Sequence, residues 1–428
     1  MRKTSLFLCS LILYVASFGQ TWIKYNTTNT SIGLNSNNIS AMAIDNAENK
    51  WIGTVGGGLS KFDGTNWTKY TTTNTDSGLV NDNIIDIAVD SKNNLWITTQ
   101  EGISKFDGTN WIKYTTTNTN GGLPNNWVSC VAIDSDGNKW FGMLGAFCKF
   151  NDTTWTIYNN ATTNNTVIPN YYDFISIGFD KEGNGYFGTF GDGYIQYGKN
   201  GFLHFNTTNG SALLNDFCQV IAFDSLNNDL WIGTDAGLNQ YSFNLHIGGG
   251  SYTTASTSGG LSNDFITSIA FDSKGNRWFG TSKGIVKLAG GKWTTYNLNE
   301  PNQDFTYNIV STIIIDKQNN VWAGGPDGIS VMAISEFASV NELSKIKTTI
   351  YPNPTSENSV LQILSSENMN AIVSICDLLS QKIWSENISL VNGQNQIPLS
   401  TNDLTNGIYL VQISSDSLNA STSLVVQK

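Results

Sequence analysis

The chain has 428 residues and a formal net charge of −11, with 13% charged and 12% aromatic residues. This length allows two or more domains with substantial cores, and the aromatic and apolar content excludes an intrinsically disordered chain. No Lys/Arg-rich run is present, which argues against a nucleic-acid partner, since nucleic acids are held largely through their phosphates.

The first 19 residues have the three parts of a secretory signal peptide. Arg2 and Lys3 form a basic start, Leu6 to Val15 is apolar, and Ser17-Phe18-Gly19 forms a small-residue cleavage site. About ten apolar residues are too few to cross a hydrocarbon core roughly 30 Å thick, so a membrane anchor is excluded. No later segment is long and apolar enough to cross a bilayer, and we expect a mature chain without a transmembrane segment.

One short phrase, Trp51-Ile52-Gly53-Thr54 in its first copy, returns through most of the chain. Its leading aromatic recurs at intervals of 44 to 47 residues, at Trp51, Trp96, Trp140, Tyr186, Trp231, Trp278 and Trp322. Each copy holds about four short strand patterns and no helical pattern. Seven such copies predict an all-β fold, a seven-bladed β-propeller over residues 20–336.

The first and last copies are incomplete in opposite ways. The mature chain opens with Trp22-Ile23-Lys24-Tyr25, a phrase that ends the next two copies as Trp67 to Tyr70 and Trp111 to Tyr114. The last copy lacks this phrase after Gly328 to Met332. We therefore expect residues 21–25 to close the ring as the outer strand of the seventh sheet, which removes the open sheet edges.

Two kinds of acidic or amide residue recur at fixed places. The first strand of each copy ends at an Asp, namely Asp45, Asp90, Asp134, Asp180, Asp224, Asp272 and Asp316. We predict that these residues cap the following hairpin rather than cleave a glycan. Eight residues before each Asp lie Asn37, Asp82, Asn126, Tyr172, Asp216, Asp264 and Asn308. Where this residue is Asn or Asp, we expect its side chain to cap the turn into the first strand.

The order Gly-Leu-x-x-Asn, apolar strand, Asp-x-x-Gly-Asn, Trp-Ile-Gly-Thr and Gly-Leu-x-x-Phe resembles the two-component regulator propeller repeat over about residues 21–336. In that family the repeats commonly form the periplasmic sensor of hybrid histidine kinases that respond to glycans. No transmembrane helix, kinase or DNA-binding pattern follows here, so the resemblance implies the fold and not the signalling role.

The sequence changes character after residue 336. Residues 337–347 read as a linker, and residues 348–428 alternate as a small antiparallel β-sandwich. Tyr351-Pro352-Asn353-Pro354 and Leu404 to Ile413 make this part similar to the C-terminal sorting domain of the type IX secretion system. The resemblance implies the secretion machinery as a partner, export across the outer membrane of a Gram-negative bacterium, and release or attachment at the cell surface.

The chain has few residues of the types that bind metals or act in catalysis. Cys130, Cys148, Cys218 and Cys376 match no metal spacing and are predicted to be free buried thiols. The two histidines, His204 and His246, fall near outer strands, and we place both on irregular segments. No nucleophile elbow, metalloprotease helix, phosphate loop or Cys-x-x-Cys pair occurs, so we predict no catalytic residue, no metal and no cofactor.

Ligand binding, if the fold has it, is expected from non-repeating residues at repeating places. In propellers, the loops between second and third strands and the segments that enter first strands surround one mouth of the channel. These places hold Asn83, Gln100, Glu101, Trp127, Asp173, Phe190, Asp192, Phe217, Asp235, Phe265, Lys283 and Asp327. Aromatic rings beside amides and carboxylates suit a sugar or another organic ligand. The alternative is that Trp127, Phe217 and Phe265 only pack between sheets.

We expect a monomeric, exported, non-catalytic module that binds a ligand or a protein. The alternative is an extracellular enzyme, polysaccharide-cleaving or lyase-like, with carboxylates such as Glu101 and Asp173 at the channel mouth. A scaffold for adhesion or gliding stays open beside these two.

Overall fold

The computed structural model describes residues 22–28, 30, 33–163, 168, 172–209, 212–243, 249–296, 309–332, 346–365, 368–377, 382–415 and 418–428. The chain forms two compact units, Met1–Ile334 and Ser335–Lys428. The predicted signal peptide and residues 337–345 of the predicted linker lie outside the described residues, whereas Ile346 and Lys347 of that linker begin a strand of the second unit. The boundaries 1–19, 20–336, 337–347 and 348–428 stay predictions.

Four-stranded antiparallel sheets make up the described part of the first unit. We number them one to seven by the position of their first strands. The strand β1 (Trp22–Tyr25) precedes them all. Sheet one contains β2 (Ile39–Ile44), β3 (Lys50–Thr54), β4 (Gly58–Phe62) and β5 (Trp67–Tyr70). Sheet two contains β6 (Ile84–Val89), β7 (Leu95–Thr99), β8 (Gly102–Phe106) and β9 (Trp111–Tyr114).

The remaining sheets repeat this order. Sheet three contains β10 (Cys130–Ile133), β11 (Lys139–Met143), β12 (Ala146–Phe150) and β13 (Trp155–Asn159). Sheet four contains β14 (Phe174–Phe179), β15 (Gly185–Thr189), β16 (Tyr194–Gly198) and β17 (Gly201–Phe205). Sheet five contains β18 (Cys218–Asp224), β19 (Asp229–Thr234), β20 (Gly237–Ser242) and β21 (Ser251–Tyr252). Sheet six contains β22 (Ile266–Phe271), β23 (Arg277–Thr281), β24 (Gly284–Ala289) and β25 (Lys292–Tyr296). Sheet seven contains β26 (Thr312–Ile315), β27 (Val321–Gly325), β28 (Gly328–Met332) and β1.

These sheets form a closed ring. The first strand of each sheet contacts the first strand of the next, and β26 contacts β2. The strand β1 pairs antiparallel with β28, from Trp22 opposite Met332 to Tyr25 opposite Ile329. The Tyr25 ring stacks on Trp322 with 5.9 Å between centroids and packs against Trp67 of sheet one at 5.5 Å. The predicted all-β propeller and its closure by the N-terminal strand are confirmed.

Aromatic side chains fill the wedge between neighbouring sheets. At the junction of sheets one and two, Trp51 lies 5.7 Å from Tyr70 and 6.0 Å from Phe106 between ring centroids. A Cβ atom on Gly53 would lie 2.5 Å from Cγ2 of Ile84 in sheet two. The pairing of a large aromatic with a glycine in the second strand therefore lets the sheets approach closely while the outer wedge stays filled.

The Asp at the end of each first strand caps a hairpin, as predicted. Asp45 accepts hydrogen bonds from the N–H groups of Ala47 and Asn49 at 2.9 Å, and from Trp51 Nε1 at 2.9 Å. Burial opposes ionisation, but hydrogen bonds from Asn49 and Trp51 outweigh it and hold the pKa of Asp45 below its ordinary value. This position is therefore structural.

The second unit has two sheets around one core. The strands β29 (Ile346–Tyr351), β30 (Asn358–Ser365) and β33 (Gly393–Ser400) form one sheet in that order. The order β32-β31-β34-β35 forms the other, from β31 (Met369–Cys376), β32 (Lys382–Leu390), β34 (Gly407–Ser415) and β35 (Leu418–Val426). Leu361, Val373 and Val411 meet in the core, which confirms the small antiparallel sandwich.

The four cysteines in the described residues, Cys130, Cys148, Cys218 and Cys376, are all buried and unpaired. The predicted free thiols are therefore confirmed. Within the same residues, no element is a helix of the length and hydropathy that crossing a bilayer requires.

Candidate ligand-binding surface

One end of the propeller carries all the predicted site residues. In an antiparallel four-stranded sheet, the turn between the second and third strands lies at the same end as the segment that enters the first strand. We call this end the turn face. It is built from the seven turns and the entry segments of the sheets, and the twelve predicted residues lie on one or the other.

The entry segments are held by Asx turns. The side-chain oxygens of Asn81, Asn125, Asn215 and Asn263 accept the N–H two residues later, at 2.6 to 3.0 Å. Those N–H groups belong to Asn83, Trp127, Phe217 and Phe265. Four candidate side chains therefore project from ordered turns.

The prediction that the following Asx residue makes this cap is wrong. Asp82 accepts the N–H of Thr72 at 2.8 Å, and Asn126 accepts that of Thr116 at 2.8 Å. Both donors lie just after the fourth strand of the preceding sheet. These side chains thus brace the loop that leads away from that sheet, and the residue before them makes the turn into the first strand.

Large apolar side chains are exposed on the turn face. Trp127 and Phe190 are each 52% exposed and Phe265 is 38% exposed. Packing between sheets therefore does not account for Trp127 or Phe265. Phe217 is half-buried and meets Phe190 edge-to-face, with 4.8 Å between centroids.

Sequence reasoning missed three further exposed apolar residues of this face, Val55, Leu144 and Ile309. Val55 and Leu144 directly follow a second strand, the repeat position that Gln100 and Phe190 also occupy. Ile309 occupies the position of Trp127 and Phe265 in its own entry segment. The repeat alignment that singled out the other residues contained this signal.

Backbone pairing joins part of the face into a continuous surface. Leu144 of sheet three forms an isolated bridge with Asp173 of sheet four, and Phe190 of sheet four forms one with Phe217 of sheet five. The N–H of Phe190 also donates to the carbonyl of Asp173 at 2.9 Å. We call Trp127, Leu144, Phe190 and Phe217 the apolar sector, and Asp173 lies within it.

Asp173 has a polar partner on the neighbouring sheet. Ser129 Oγ donates to its carboxylate, with 2.8 and 2.9 Å to the two oxygens. Burial raises the pKa of Asp173, and the Ser129 hydrogen bond only partly opposes this. Among the described residues, no Lys, Arg or His side chain forms an ion pair with it.

A second carboxylate without a cation, Asp86, was missed from the sequence. It lies on β6 and accepts the N–H of Val131, in the neighbouring first strand β10, at 2.9 Å, and that of Ile87 at 2.8 Å. Burial raises its pKa to about 6, against these two hydrogen bonds. Ser176 and Ser268 occupy the same repeat position and accept the equivalent N–H of the next sheet, from Ile221 and Ile313 respectively. An aspartate at a repeat position that holds serine in two other copies was the sequence feature that could have revealed Asp86.

The other predicted polar residues are dispersed. Asp192 turns outward, because His204 Nε2 lies 3.3 Å from its Oδ2 and 2.7 Å from its carbonyl oxygen. Burial raises the pKa of Asp192, and the charge of His204 opposes this. His204 lies on the strand β17, so its placement on an irregular segment is wrong; His246 lies outside the described residues.

Asp235 accepts a hydrogen bond from Gln219 Nε2 of β18 at 2.7 Å and therefore stays close to the inner strand. Gln100, Glu101 and Lys283 are exposed in their turns, whereas Asn83 and Asp327 are half-buried.

The described residues of this surface hold few groups of the kinds that cleave bonds. Ser129 and Asp173 form a hydroxyl–carboxylate pair, but no histidine of the described chain completes a nucleophile with its base. No group of three His, Cys, Asp or Glu side chains is placed to hold a metal ion in the described ranges.

Two family models match parts of the chain. The model for the secretion system C-terminal sorting domain matches residues 349–427, and the two component regulator propeller model matches residues 78–101 and 260–283. Both resemblances read from the sequence are confirmed. The protein is a secreted propeller with a type IX sorting domain, destined for the cell surface or the outside of the cell.

Known proteins match this chain at low identity. Histidine kinase P4 of Formosa agariphila is 28% identical over 179 residues, or 38% of this chain and 12% of that protein. The extracellular domain of the hybrid two component system BT3049 from B. thetaiotaomicron has a TM-score of 0.63 at 19% identity, over 95% of this chain and 57% of that one. PorZ, a surface component of the type-IX secretion system of Porphyromonas gingivalis, has a TM-score of 0.55 at 16% identity, over 92% of this chain and 60% of that one. The chain thus spans less than two thirds of each of these proteins.

Proposed function

We propose that this secreted propeller is a non-catalytic binding module and that its ligand docks on the turn face, over the apolar sector. The observation that supports this most directly is the exposure of Trp127 and Phe190, each 52%, on ordered turns. An exposed tryptophan held by an Asx turn and a bridged phenylalanine lose little conformational entropy when a ligand covers them.

The surroundings of these rings favour a specific ligand over nonspecific hydrophobic binding. Asp173 lies between Leu144 and Phe190 and is only partly exposed. Apolar surface with a few placed polar groups is the usual composition of a binding site. The twelve predicted residues belong to this proposal, with Asp173, Trp127, Phe190 and Phe217 at its centre.

Binding to the secreted full-length chain tests the proposal. Soluble oligosaccharides and extracellular polypeptides are screened against the wild type, Trp127→Ala and Phe190→Ala. Leu226→Ala is the matched control, because Leu226 is 62% exposed at the opposite end of the propeller. We expect each aromatic truncation to weaken binding about tenfold or more and the control to leave it unchanged. Equal binding by all four proteins would contradict the proposed surface.

An enzymatic function is the second candidate, because partly buried carboxylates with raised pKa values also occur in acid catalysts. Asp173 and Asp86 both have this property. Turnover of a polysaccharide that disappears in Asp173→Asn or Glu101→Gln, with ligand binding retained, would favour this candidate over simple binding.

A further inference from the structure

The charges of the propeller are arranged unequally between its two ends. At the end opposite the turn face, acids have cationic partners: Lys50 lies 3.7 Å from Asp316, and Lys317 lies 3.1 Å from Glu48. Lys139 pairs with Asp152 at the same end. On the turn face, the partners of Asp173 among the described residues are the Ser129 hydroxyl and the backbone bridge to Leu144.

A second carboxylate, that of Asp86, lies on an inner strand. Asp86 is on β6, and its partners are the two backbone N–H groups of Ile87 and Val131. Asp173 accepts the hydroxyl of Ser129 and Asp86 accepts the N–H of Val131, so the two carboxylates flank the same short segment on either side of Cys130. An isolated buried carboxylate is costly unless a cation or further donors approach it.

Hydrogen-bond donors without a charge only partly offset the cost of burying these carboxylates. A neutral sugar hydroxyl donates a hydrogen bond but cannot offset the charge, whereas an ammonium or guanidinium group does both. The twelve predicted turn-face residues include five acids, Glu101, Asp173, Asp192, Asp235 and Asp327, against one lysine, Lys283, and of these acids Asp192 has His204 beside it. The face as a whole therefore favours a cationic ligand.

The apolar sector indicates the length and kind of that ligand. It continues from Trp127 and Leu144 of sheet three through Phe190 of sheet four to Phe217 of sheet five. A surface across three sheets exceeds what one small amine covers, but it matches successive side chains of an extended polypeptide. A peptide that carries both apolar and basic side chains satisfies both halves of the surface.

We infer that the ligand is an extended, cationic polypeptide segment, whose lysine or arginine side chain enters beside Asp173 and Asp86 while its apolar side chains cover the apolar sector. This inference rests on the proposed function and specifies its ligand.

The probes are fluorescein-labelled peptides of about ten residues that alternate leucine with lysine, and the same peptides with glutamine in place of lysine. A panel of neutral oligosaccharides forms the third arm. The full-length chain is used throughout, with Asp173→Asn and Asp86→Ser as site variants. Serine at position 86 retains an acceptor for the Val131 N–H, as Ser176 and Ser268 do in their sheets.

Asp136→Asn is the matched control for charge. Asp136 is exposed in the turn between the first and second strands of sheet three, at the opposite end of the propeller. The Asp136→Asn substitution removes one negative charge, as each site variant does. A nonspecific attraction between the peptide and an acidic protein would therefore weaken equally in all three variants.

We expect the lysine peptide to bind at least about tenfold more tightly than the glutamine peptide, and each site variant to lose about tenfold. Asp136→Asn should bind like the wild type. Equal binding of both peptides, or an equal loss in Asp136→Asn, would overturn the inference.

The failures of the inference and of the proposed function differ. Oligosaccharide binding that is lost in Trp127→Ala would overturn the cationic polypeptide and leave the proposed surface standing. If no probe bound with a dissociation constant below about 1 mM, both the inference and the proposed function would be contradicted.

Discussion

Replacing Asp86 with serine should stabilise the protein, and by an amount that depends on pH. The Asp86 side chain is half-buried among the inner strands, and its carboxylate accepts the N–H of Val131 from the neighbouring sheet. Ser176 accepts the N–H of Ile221 at 2.8 Å and Ser268 that of Ile313 at 2.9 Å from the same repeat position. Asp86→Ser therefore keeps the hydrogen bond from Val131 and removes the charge, together with the acceptor of the Ile87 N–H.

The sign follows from the raised pKa. Burial raises the pKa of Asp86 from 3.8 to about 6 in the folded protein. Between these values the folded state binds more protons than the unfolded state, so the stability that Asp86 contributes is present below pH 3.8 and lost as the pH rises through 6. At about 1.4 kcal/mol for each pKa unit, the full loss is at most roughly 3 kcal/mol.

Urea unfolding of the full chain at pH 4 and pH 8 measures this difference, with tryptophan fluorescence as the signal. We expect Asp86→Ser to exceed the wild type by about 1–3 kcal/mol at pH 8 and by much less at pH 4. Asp136→Ser, an exposed carboxylate of the opposite end, is the control and should show no such change. A wild type that is as stable as Asp86→Ser at pH 8 would refute the reasoning about buried charge.

Three further predictions concern the ring itself, and urea unfolding measures each. Tyr25→Ala removes the ring that packs on Trp322 and Trp67 and should cost about 2–4 kcal/mol, whereas a cost under about 0.5 kcal/mol would contradict closure by β1. Asp90→Ala leaves the buried Trp96 Nε1 without its acceptor and should cost about 2–4 kcal/mol; Asp90→Asn, which keeps an acceptor, should cost less. Gly233→Ala would place a Cβ 2.6 Å from Ile266 Cγ2 of sheet six and should cost about 1–3 kcal/mol; an unchanged stability would show that the junction of sheets five and six is loosely packed.

The ring, its closing strand and the hairpin caps could be predicted from the sequence because each depends on local information. The strand pattern and its turns repeat with a fixed period, so one interpreted copy defines the others. Asp45 reaches Trp51 within a single hairpin, so the pair is visible as a spacing of six residues. The missing outer strand of the last copy matched the extra strand at the front, and β1 pairs with β28 as that match requires.

The candidate surface depended on contacts between sheets, which a repeat period does not contain. Asn81 and Asp82 are neighbours with similar side chains, yet one turns the chain into β6 and the other braces a loop ten residues earlier. Trp127 and Phe217 occupy the same repeat position, but among the described residues only Phe217 meets an aromatic of the adjacent sheet. Trp127 is exposed and Phe217 is half-buried.

The sequence by itself thus determined the seven repeats, their strands and the order in which they pair. Strand pattern and turn chemistry depend on residues that are close together in the sequence. Only the tertiary structure decided which of the repeat's variable side chains face solvent and which carboxylates lack a cation. Exposure and pKa depend on what the neighbouring sheet places within a few ångströms, as the Val131 N–H beside Asp86 shows.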